Sequence, residues 1–372
     1  MKLNIVIFGL SITSSWGNGH ATTYRALVKA LHARGHKVTF LERDVPWYRE
    51  HRDFESAPYA RIELYDQLAD IPRQACPLVS QADLVILGSY VPDGSVVGDW
   101  VTMHAKGVTA FYDIDTPVTL ARLDTGDAEY ISPALIPRFD LYLSFTGGPV
   151  LKLIEQRYGS PRARPLYCGV DPDEHMPVSA AQKWALGYLG TYSADRQPIL
   201  ERLLIEPARQ LPSQKFVVAG PQYPMDISWP DNVERIEHLP PDHHAEFFSA
   251  QRFTLNVTRQ DMTAAGYSPS VRLFEAAACG APIISDRWSG LDSFFTPGKQ
   301  ILVADTCEEV VDILQSLSES QRHRIATAAR THVLESHTAE RRAQALEEYY
   351  SEVARTRDAA PKHGIGRIEA VA

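Results

Sequence analysis

Residues 268–280 read Ser-Pro-Ser-Val-Arg-Leu-Phe-Glu-Ala-Ala-Ala-Cys-Gly and predict a helix with a sharp start and a sharp end. Ser268 suits the N-cap, since its hydroxyl can accept a hydrogen bond from a free backbone N–H. Pro269 suits the first helical position, where no N–H is needed. Gly280 suits the left-handed residue that ends a helix, and Pro282 prevents continuation. The next residues, 282–285, are apolar enough for a buried strand.

Two charged residues make this helix a candidate binding element. A helix N-terminus carries partial positive charge and free N–H groups, which favour a phosphate. Arg272 lies in the predicted first turn and offers a forked donor. Glu275 lies about one turn further on, on an apolar stripe, and a carboxylate there needs a partner or a ligand. A sugar diol is the ligand that we favour, and an internal pair with Arg272 is the alternative. Phosphate donors and a diol acceptor on one helix together indicate a nucleotide diphosphate.

Short apolar runs alternate with helical segments on both sides of this helix. In the first half, strands are predicted at 3–10, 37–42, 83–89, 108–113, 141–146 and 165–170. The pattern breaks at 168–177 and then begins again with a strand at 185–191. This alternation predicts parallel sheets covered by helices. We expect an N-terminal domain at 1–170, a C-terminal domain at 171–338, and a terminal helix with a frayed tail at 339–372.

Composition narrows the class of protein. The 372 residues carry a net charge of −9, which argues against nucleic-acid binding through a broadly basic surface. The four cysteines are far apart and form no metal-binding or disulfide pattern, so we expect a cytoplasmic protein. No apolar run is long enough to span a membrane.

Ligands of doubly wound sheets bind beyond the carboxyl ends of the strands, so the strand ends are the places to look for a site. In the first half, a glycine-containing loop leads into a helix that begins near His20, and a glycine pair follows another strand. We expect these loops to line the cleft, although a plain glycine turn with a polar cap explains each of them as well. The residues concerned are Trp16, Gly17, Asn18, Gly19, Thr146 and Gly147.

A third strand end in the first half carries two carboxylates, Asp113 and Asp115. A pair at this spacing can hold a metal ion bound to a diphosphate. Two carboxylates alone are few ligands for an ion, and the alternative is one acid at the helix cap and one facing solvent. We therefore expect no required metal cofactor.

The strand ends of the second half are rich in arginine. Arg196, Arg259 and Arg272 would form a positive pocket in an otherwise acidic protein. The residues expected to bind a donor nucleotide are Tyr192, Arg196, Arg259, Tyr267, Ser268, Ser270, Arg272 and Glu275. His238, His243 and His244 form a nearby cluster with no companion acid or cysteine in sequence, and we expect them at the surface or as caps.

These segments together resemble GT-B-fold glycosyltransferases, and most closely the CgeB-like group. The resemblance is carried by SSWGNGHATTYRAL, FYDIDTPVTLARL, DLYLSFTGGP, LYCGVDP, YLGTYSADRQP, LNVTR and GYSPSVRLFEAAACGAPIISD, which lie between about residue 5 and residue 340. It implies two Rossmann-like domains around a cleft for a nucleotide-diphosphate sugar, the co-substrate. The glutamate that matches Glu275 is expected on the ribose hydroxyls. The last helix, after about Ala339, is expected to cross back to the first domain.

One position departs from the resemblance. Broader retaining families often carry a second acid eight residues before the glutamate, where this chain has Tyr267. The stereochemistry therefore stays open. If the reaction inverts, a base must deprotonate the acceptor, and His20, Asp113 and Asp115 are the candidates. A sugar-nucleotide epimerase and a non-catalytic sugar-nucleotide-binding or structural protein are the alternatives.

Overall fold

Two parallel β-sheets dominate the structure, a computed structural model that describes residues 1–16, 19–54 and 56–359. The first sheet has seven strands in the order β3-β2-β1-β4-β5-β6-β7, and the second has six in the order β10-β9-β8-β11-β12-β13. Every pairing in both sheets is parallel, for example Ile5 with Val38 and Phe253 with Leu186. The predicted fold class, two doubly wound Rossmann-like halves, is confirmed.

The central strands of the first sheet are buried on both faces, as parallel sheets between helices require, whereas its edge strands are partly exposed. Its strands are β1 (Asn4–Gly9), β2 (Lys37–Arg43), β3 (Arg61–Tyr65), β4 (Leu84–Gly88), β5 (Val108–Asp113), β6 (Leu141–Ser144) and β7 (Ala163–Pro165). The helices of this half are α1 (Gly19–Ala33), α2 (Pro46–Arg49), α3 (Ile71–Gln81), α4 (Gly94–His104), α5 (Thr116–Thr125) and α6 (Pro149–Tyr158).

The second sheet repeats this arrangement with shorter strands. They are β8 (Trp184–Leu189), β9 (Phe216–Ala219), β10 (Val233–Ile236), β11 (Gln251–Asn256), β12 (Ile283–Ser285) and β13 (Leu302–Val303). Its helices are α7 (Gln197–Leu200), α8 (Glu206–Gln210), α9 (His244–Ser249), α10 (Gln260–Ala265), α11 (Val271–Ala278), α12 (Cys307–Ser316), α13 (Glu319–Ser336) and α14 (Ala339–Ala359). A π-helical turn, Glu201–Ile205, joins α7 to α8.

One strand of the first sheet was predicted at the wrong residues, and another was not predicted. The strand expected at 165–170 is wrong, because pairing with β6 stops at Pro165 and the chain then leaves the sheet towards the second half. The edge strand β3 was missed, although its residues from Arg61 to Leu64 alternate between charged and apolar side chains, which is the pattern of a half-exposed strand. The domain boundaries at 170/171 and 338/339 stay a prediction.

The chain passes between the two halves twice, at neighbouring positions. Val170 donates its N–H to the carbonyl of His337 at 3.0 Å and accepts from the N–H of Ala339 at 2.8 Å. Helix α14 then packs against α1 of the first half. Glu347 on α14 accepts from Arg34 at 2.7 Å and lies 2.7 Å from Nε2 of His36. The terminal helix therefore ties the last part of the described chain to the first sheet.

One apolar core runs through both halves. It contains the inner face of the first sheet with Tyr24 and Leu27 of α1, and it continues to Phe274 of α11 and Leu346 of α14. Separate clusters cover the outer face of each sheet. No helix among the described residues is long and apolar enough to cross a membrane.

Candidate active site

A cavity of about 250 Å³ lies between the two halves, at the carboxyl ends of their strands. The first half contributes the start of α1 and the loop before it. The second half contributes the loops after β8 and β9 and the start of α11. Its lining includes Ser15, Gly19, Thr22, Gly190, Thr191, Arg196, Gly220, His238, His244, Arg272 and Glu275. The position agrees with the rule that open α/β sheets bind ligands beyond their strand ends.

Helix α11 begins two residues later than predicted. Ser270 is the N-cap, and its hydroxyl accepts from the N–H of Arg272 at 3.3 Å. The prediction of Ser268 as the cap is wrong, because its hydroxyl accepts instead from Thr146 Oγ1 of the first half at 2.9 Å. Gly280 does end the helical segment with φ +74°, as predicted. The helix therefore begins at the cavity, because Val271 and Arg272, which follow the N-cap Ser270, line it.

The guanidinium of Arg272 is buried and partly engaged by its own half. Its Nε donates to the carbonyl of Leu189, and its Nη1 lies 3.3 Å from Oδ1 of Asn256. The group also lies over the ring of Tyr188, 4.7 Å from the centroid. Burial lowers the pKa of Arg272. Arg272 thus holds the loop after β8 in place, while it still lines the cavity.

Glu275 is 4% exposed and faces two imidazoles instead of Arg272. Its Oε1 lies 3.6 Å from Nε2 of His175, and its Oε2 lies 4.0 Å from Nδ1 of His244. His244 was expected at the surface or as a cap, and this prediction is wrong, because its side chain is only 13% exposed. His243 does lie at the surface.

Arg196 and Tyr192 shape the loop after β8. Arg196 lines the cavity, and its Nη2 donates to the carbonyl of Thr191 at 2.6 Å. Tyr192 donates its N–H to the carbonyl of Pro221, and its ring meets Tyr223 edge-on at 5.5 Å. These contacts fix the loop beside the start of α11.

Arg259 reaches the other half of the molecule. Its Nη1 lies 3.2 Å from Oδ2 of Asp115, at the end of β5. The same oxygen accepts from the hydroxyl of Tyr90 at 3.0 Å. The second oxygen of Asp115, Oδ1, is buried and has no hydrogen-bond partner among the described residues. Burial raises the pKa of Asp115, and the cation of Arg259 opposes that rise.

Asp113 is fully buried and fully engaged. It accepts from Tyr142 at 2.5 Å, from Thr119 at 2.7 Å and from the N–H of Asp115 at 3.3 Å. Burial raises its pKa to about 6. These contacts make Asp113 a residue that organises the end of β5, whereas Asp115 retains a free oxygen.

The loop before α1 is described up to Trp16 and again from Gly19. Trp16 stacks on His51 at 4.7 Å and lies 4.4 Å from the ring of His238 in the second half. Burial lowers the pKa of His20 to about 4, so its imidazole is neutral near pH 7. Its ring lies 5.4 Å from that of Tyr90. The predicted cleft residues Gly17 and Asn18 lie outside the described residues.

The predicted cleft residues Thr146 and Gly147 contact the second half directly. Besides the bond from Thr146 to Ser268, Gly147 donates its N–H to the carbonyl of Tyr267 at 2.9 Å. The ring of Tyr267 packs against Gly148 of the first half and Gly290 of the second. Tyr267 has φ +49°, which a non-glycine residue rarely adopts. This arrangement joins the halves beside the start of α11.

Several cavity residues were not singled out from the sequence. Gly190 and Gly220 follow β8 and β9, and the strand-end rule would have found them. His175 carries no comparable signal, because it lies in the connecting segment and reaches Glu275 only through the fold. His244 and His175 come together with Glu275 from three separate elements.

Several solved structures resemble this chain over nearly its whole length. Sucrose-phosphate synthase from Thermosynechococcus elongatus is 15% identical, with a TM-score of 0.68, over 95% of this chain and 100% of that chain. HepE of Anabaena in complex with UDP and glucose is 15% identical, with a TM-score of 0.66, over 95% and 100%. An alpha-glucosyltransferase in complex with UDP and a 13-mer DNA containing an HMU base is 14% identical, with a TM-score of 0.69, over 94% and 99%. The fold is therefore the GT-B fold.

A comparison of the sequence with protein-family models gives a match in the second half of the chain. Residues 196–348 match a family model described as glycosyl transferase-like. Among curated proteins, no match was found. The predicted GT-B fold is confirmed, and the match supports the predicted glycosyltransferase class within residues 196–348.

Proposed function

We propose that the protein transfers a sugar from a nucleotide-diphosphate sugar, with a UDP-sugar as the first candidate, to an acceptor hydroxyl. The observation that carries the proposal is the convergence of Arg196, the start of α11 and Glu275 on one cavity, within the segment that matches the glycosyl transferase-like family. UDP is the first choice because HepE and the alpha-glucosyltransferase, which share the fold, are described in complex with UDP.

The chemistry of the cavity supports a position for each part of the donor. The positive end of the α11 dipole and the guanidinium of Arg196 suit the diphosphate. Glu275 suits the ribose hydroxyls, since a carboxylate accepts hydrogen bonds from both members of a diol. In the reaction the bond between the sugar carbon and the diphosphate oxygen breaks, and UDP leaves with the electron pair. Positive groups around the diphosphate stabilise that developing charge.

The acceptor would enter from the side of the first half. Its hydroxyl oxygen forms the new bond to the sugar carbon, and its proton must pass to a base if the reaction inverts. His20 and Asp115 are the candidates, because His20 is held neutral and Asp115 retains a buried oxygen that has no hydrogen-bond partner in the part of the chain that the structure describes. Asp113 is the weaker candidate of the three, since its carboxylate already accepts three hydrogen bonds.

Three finer assignments belong to this proposal. The CgeB-like group rests on the motifs quoted from the sequence. A cytoplasmic location fits the four free cysteines. An acceptor other than nucleic acid fits the net charge of −9.

The experiment is incubation of the full chain with UDP-, GDP- and dTDP-sugars, with and without a panel of small hydroxylated acceptors. We expect free nucleotide together with a glycosylated acceptor, and release that depends on the acceptor. An isomerised donor formed without any acceptor would instead indicate an epimerase. Nucleotide binding with no turnover on any acceptor would indicate a binding protein.

A further inference from the structure

Three polar side chains from distant parts of the chain meet beside the cavity. They are His175 of the connecting segment, His244 at the start of α9 and Glu275 of α11, and we call them the His-His-Glu cluster. One ligand atom from each residue lies within 4.8 Å of the others. Glu275 and His244 line the cavity of about 250 Å³, whereas Glu275 and His175 line a second cavity of about 510 Å³ next to it.

The cluster is not satisfied by its own protein contacts. The side chain of His175 is 8% exposed, and neither of its ring nitrogens has a hydrogen-bond partner among the described residues. Nδ1 of His244 likewise has none. The separations of 3.6 Å and 4.0 Å from Glu275 are too long for hydrogen bonds. A buried carboxylate and two buried imidazoles in this condition cost free energy unless something else binds them.

The donor set is that of a transition-metal site. Two imidazole nitrogens and one carboxylate oxygen bind Zn²⁺ at about 2.0–2.2 Å, with further positions left for water or substrate. Ligand atoms of a tetrahedral ion are then roughly 3.3 Å apart by that geometry. The two separations from Glu275 would then shorten by about 0.3 and 0.7 Å, and the longest separation in the cluster, which is at most 4.8 Å, by up to about 1.5 Å.

We propose that His175, His244 and Glu275 bind a divalent transition metal ion of the Zn²⁺ type, with open coordination positions facing the cavity. Mg²⁺ does not suit this set, because it prefers six oxygen ligands. The ion and the ribose of the donor would use the same carboxylate, so they exclude each other. This exclusion, unlike the metal site itself, rests on the proposed function.

The test is a titration of the chelator-treated full chain with Zn²⁺, followed by calorimetry, with Mg²⁺ as the comparison ion. We expect one Zn²⁺ per chain and no Mg²⁺ at this site. His175→Ala and His244→Ala should weaken Zn²⁺ binding by more than about 10-fold, since even outer-shell partners of a metal cost 10–100-fold. His243→Ala is the matched control, because this neighbouring histidine is exposed and outside the cluster. Thermal unfolding establishes that each variant is folded.

Failure of the metal site and failure of the donor site are separable. UDP binding measured without Zn²⁺ tests the donor site alone, and Zn²⁺ binding measured without UDP tests the cluster alone. Absence of Zn²⁺ binding to the wild type, or equal binding by folded His175→Ala, overturns the metal site. Saturating UDP should weaken Zn²⁺ binding at least 10-fold, about 1.4 kcal/mol. Unchanged Zn²⁺ affinity in saturating UDP overturns the shared use of Glu275.

Discussion

Arg259 and Asp115 form an ion pair across the cleft, with Nη1 of the arginine 3.2 Å from Oδ2 of the aspartate. The carboxylate is buried at the end of β5, whereas the arginine side chain is 36% exposed. The pair connects a residue predicted to bind the donor with a residue predicted to act on the acceptor. Its effect on folding and its effect on catalysis can be measured separately.

Arg259→Ala should destabilise the fold, because it leaves Asp115 buried without its cation. The same change in an Asp115→Asn background should cost less, with a coupling free energy of about 1 kcal/mol, since the arginine is partly screened by solvent. Urea unfolding of the wild type, both single variants and the double variant at pH 7 gives this coupling. Strictly additive costs would mean that the pair contributes nothing to stability.

Asp113 should make stability depend on pH. Its pKa is raised by burial from 3.8 to about 6, so the folded state binds a proton more tightly than the unfolded state. The contribution of Asp113 to the free energy of unfolding is therefore fully present below pH 4. It is lost as the pH rises to about 6, and the loss is roughly 3 kcal/mol at most. Asp113→Asn cannot ionise and should flatten the profile of unfolding free energy between pH 4 and 6.

Asp286 contributes to the same window, because burial also raises its pKa to about 6. Asp113→Asn should therefore remove only part of the slope. Asp124→Asn is the control, since this carboxylate lies at the surface. A slope in Asp113→Asn as steep as that of the wild type would show that Asp113 does not titrate as its burial implies.

Glu275→Gln should weaken UDP binding by about 10–100-fold while the fold stays intact. The expected loss follows from about 1.5–3 kcal/mol for hydrogen bonds to a charged acceptor. Isothermal calorimetry with UDP measures it, and thermal unfolding measures the fold. The matched control is Glu246→Gln on α9, whose carboxylate is 57% exposed. Equal UDP affinity in folded Glu275→Gln would remove this residue from the donor site.

The interface around Tyr267 can be tested with two glycines. A methyl group at Gly148 would overlap the ring of Tyr267, at a position with φ +62°. Gly126 has φ +80°, but no neighbouring atom lies within 4 Å of such a methyl. Gly126→Ala should therefore cost only the left-handed backbone penalty of about 1–2 kcal/mol. Gly148→Ala should cost at least about 1 kcal/mol more, because the ψ of −141° lies outside the left-handed helical region and the methyl group also overlaps the ring of Tyr267.

Thermal and urea unfolding compare the two alanine variants directly. Gly148→Ala should also reduce glycosyl transfer, since the clash displaces Tyr267 next to the start of α11. Gly126→Ala should leave transfer unchanged. Equal destabilisation by the two changes would indicate that the ring of Tyr267 is not held between the halves.

The parallel sheets could be predicted because their strands are short apolar runs that alternate with helices. The end of α11 could be predicted as well, since Gly280 and Pro282 act locally. The start could not, because the hydroxyl of Ser268 is taken by Thr146, 122 residues away in sequence. A capping preference describes only neighbours along the chain, and this contact depends on how the halves pack.

The surroundings of Glu275 were outside the reach of sequence patterns for the same reason. Because Glu275 lies on the apolar stripe of its helix, the sequence predicted that its carboxylate has a partner. Arg272 was the only charged residue near enough along the chain to be considered. The fold instead directs Arg272 to the loop after β8 and brings His175 and His244 to the carboxylate. No spacing rule connects residues from three elements, so the cluster appears only in three dimensions.

His20 offers a last prediction, which concerns the pH profile of transfer. Because burial lowers the pKa of His20 to about 4, a reaction that uses it as the base should retain activity from pH 5 to 8 and lose it only as the ring becomes protonated near pH 4. His20→Ala should then lower the turnover number by about 100–10,000-fold, the usual contribution of a general base. His32→Ala, an exposed histidine on the same helix, is the control. Unchanged turnover in folded His20→Ala would exclude His20 and leave Asp115, whose Oδ1 has no hydrogen-bond partner among the described residues, as the candidate base.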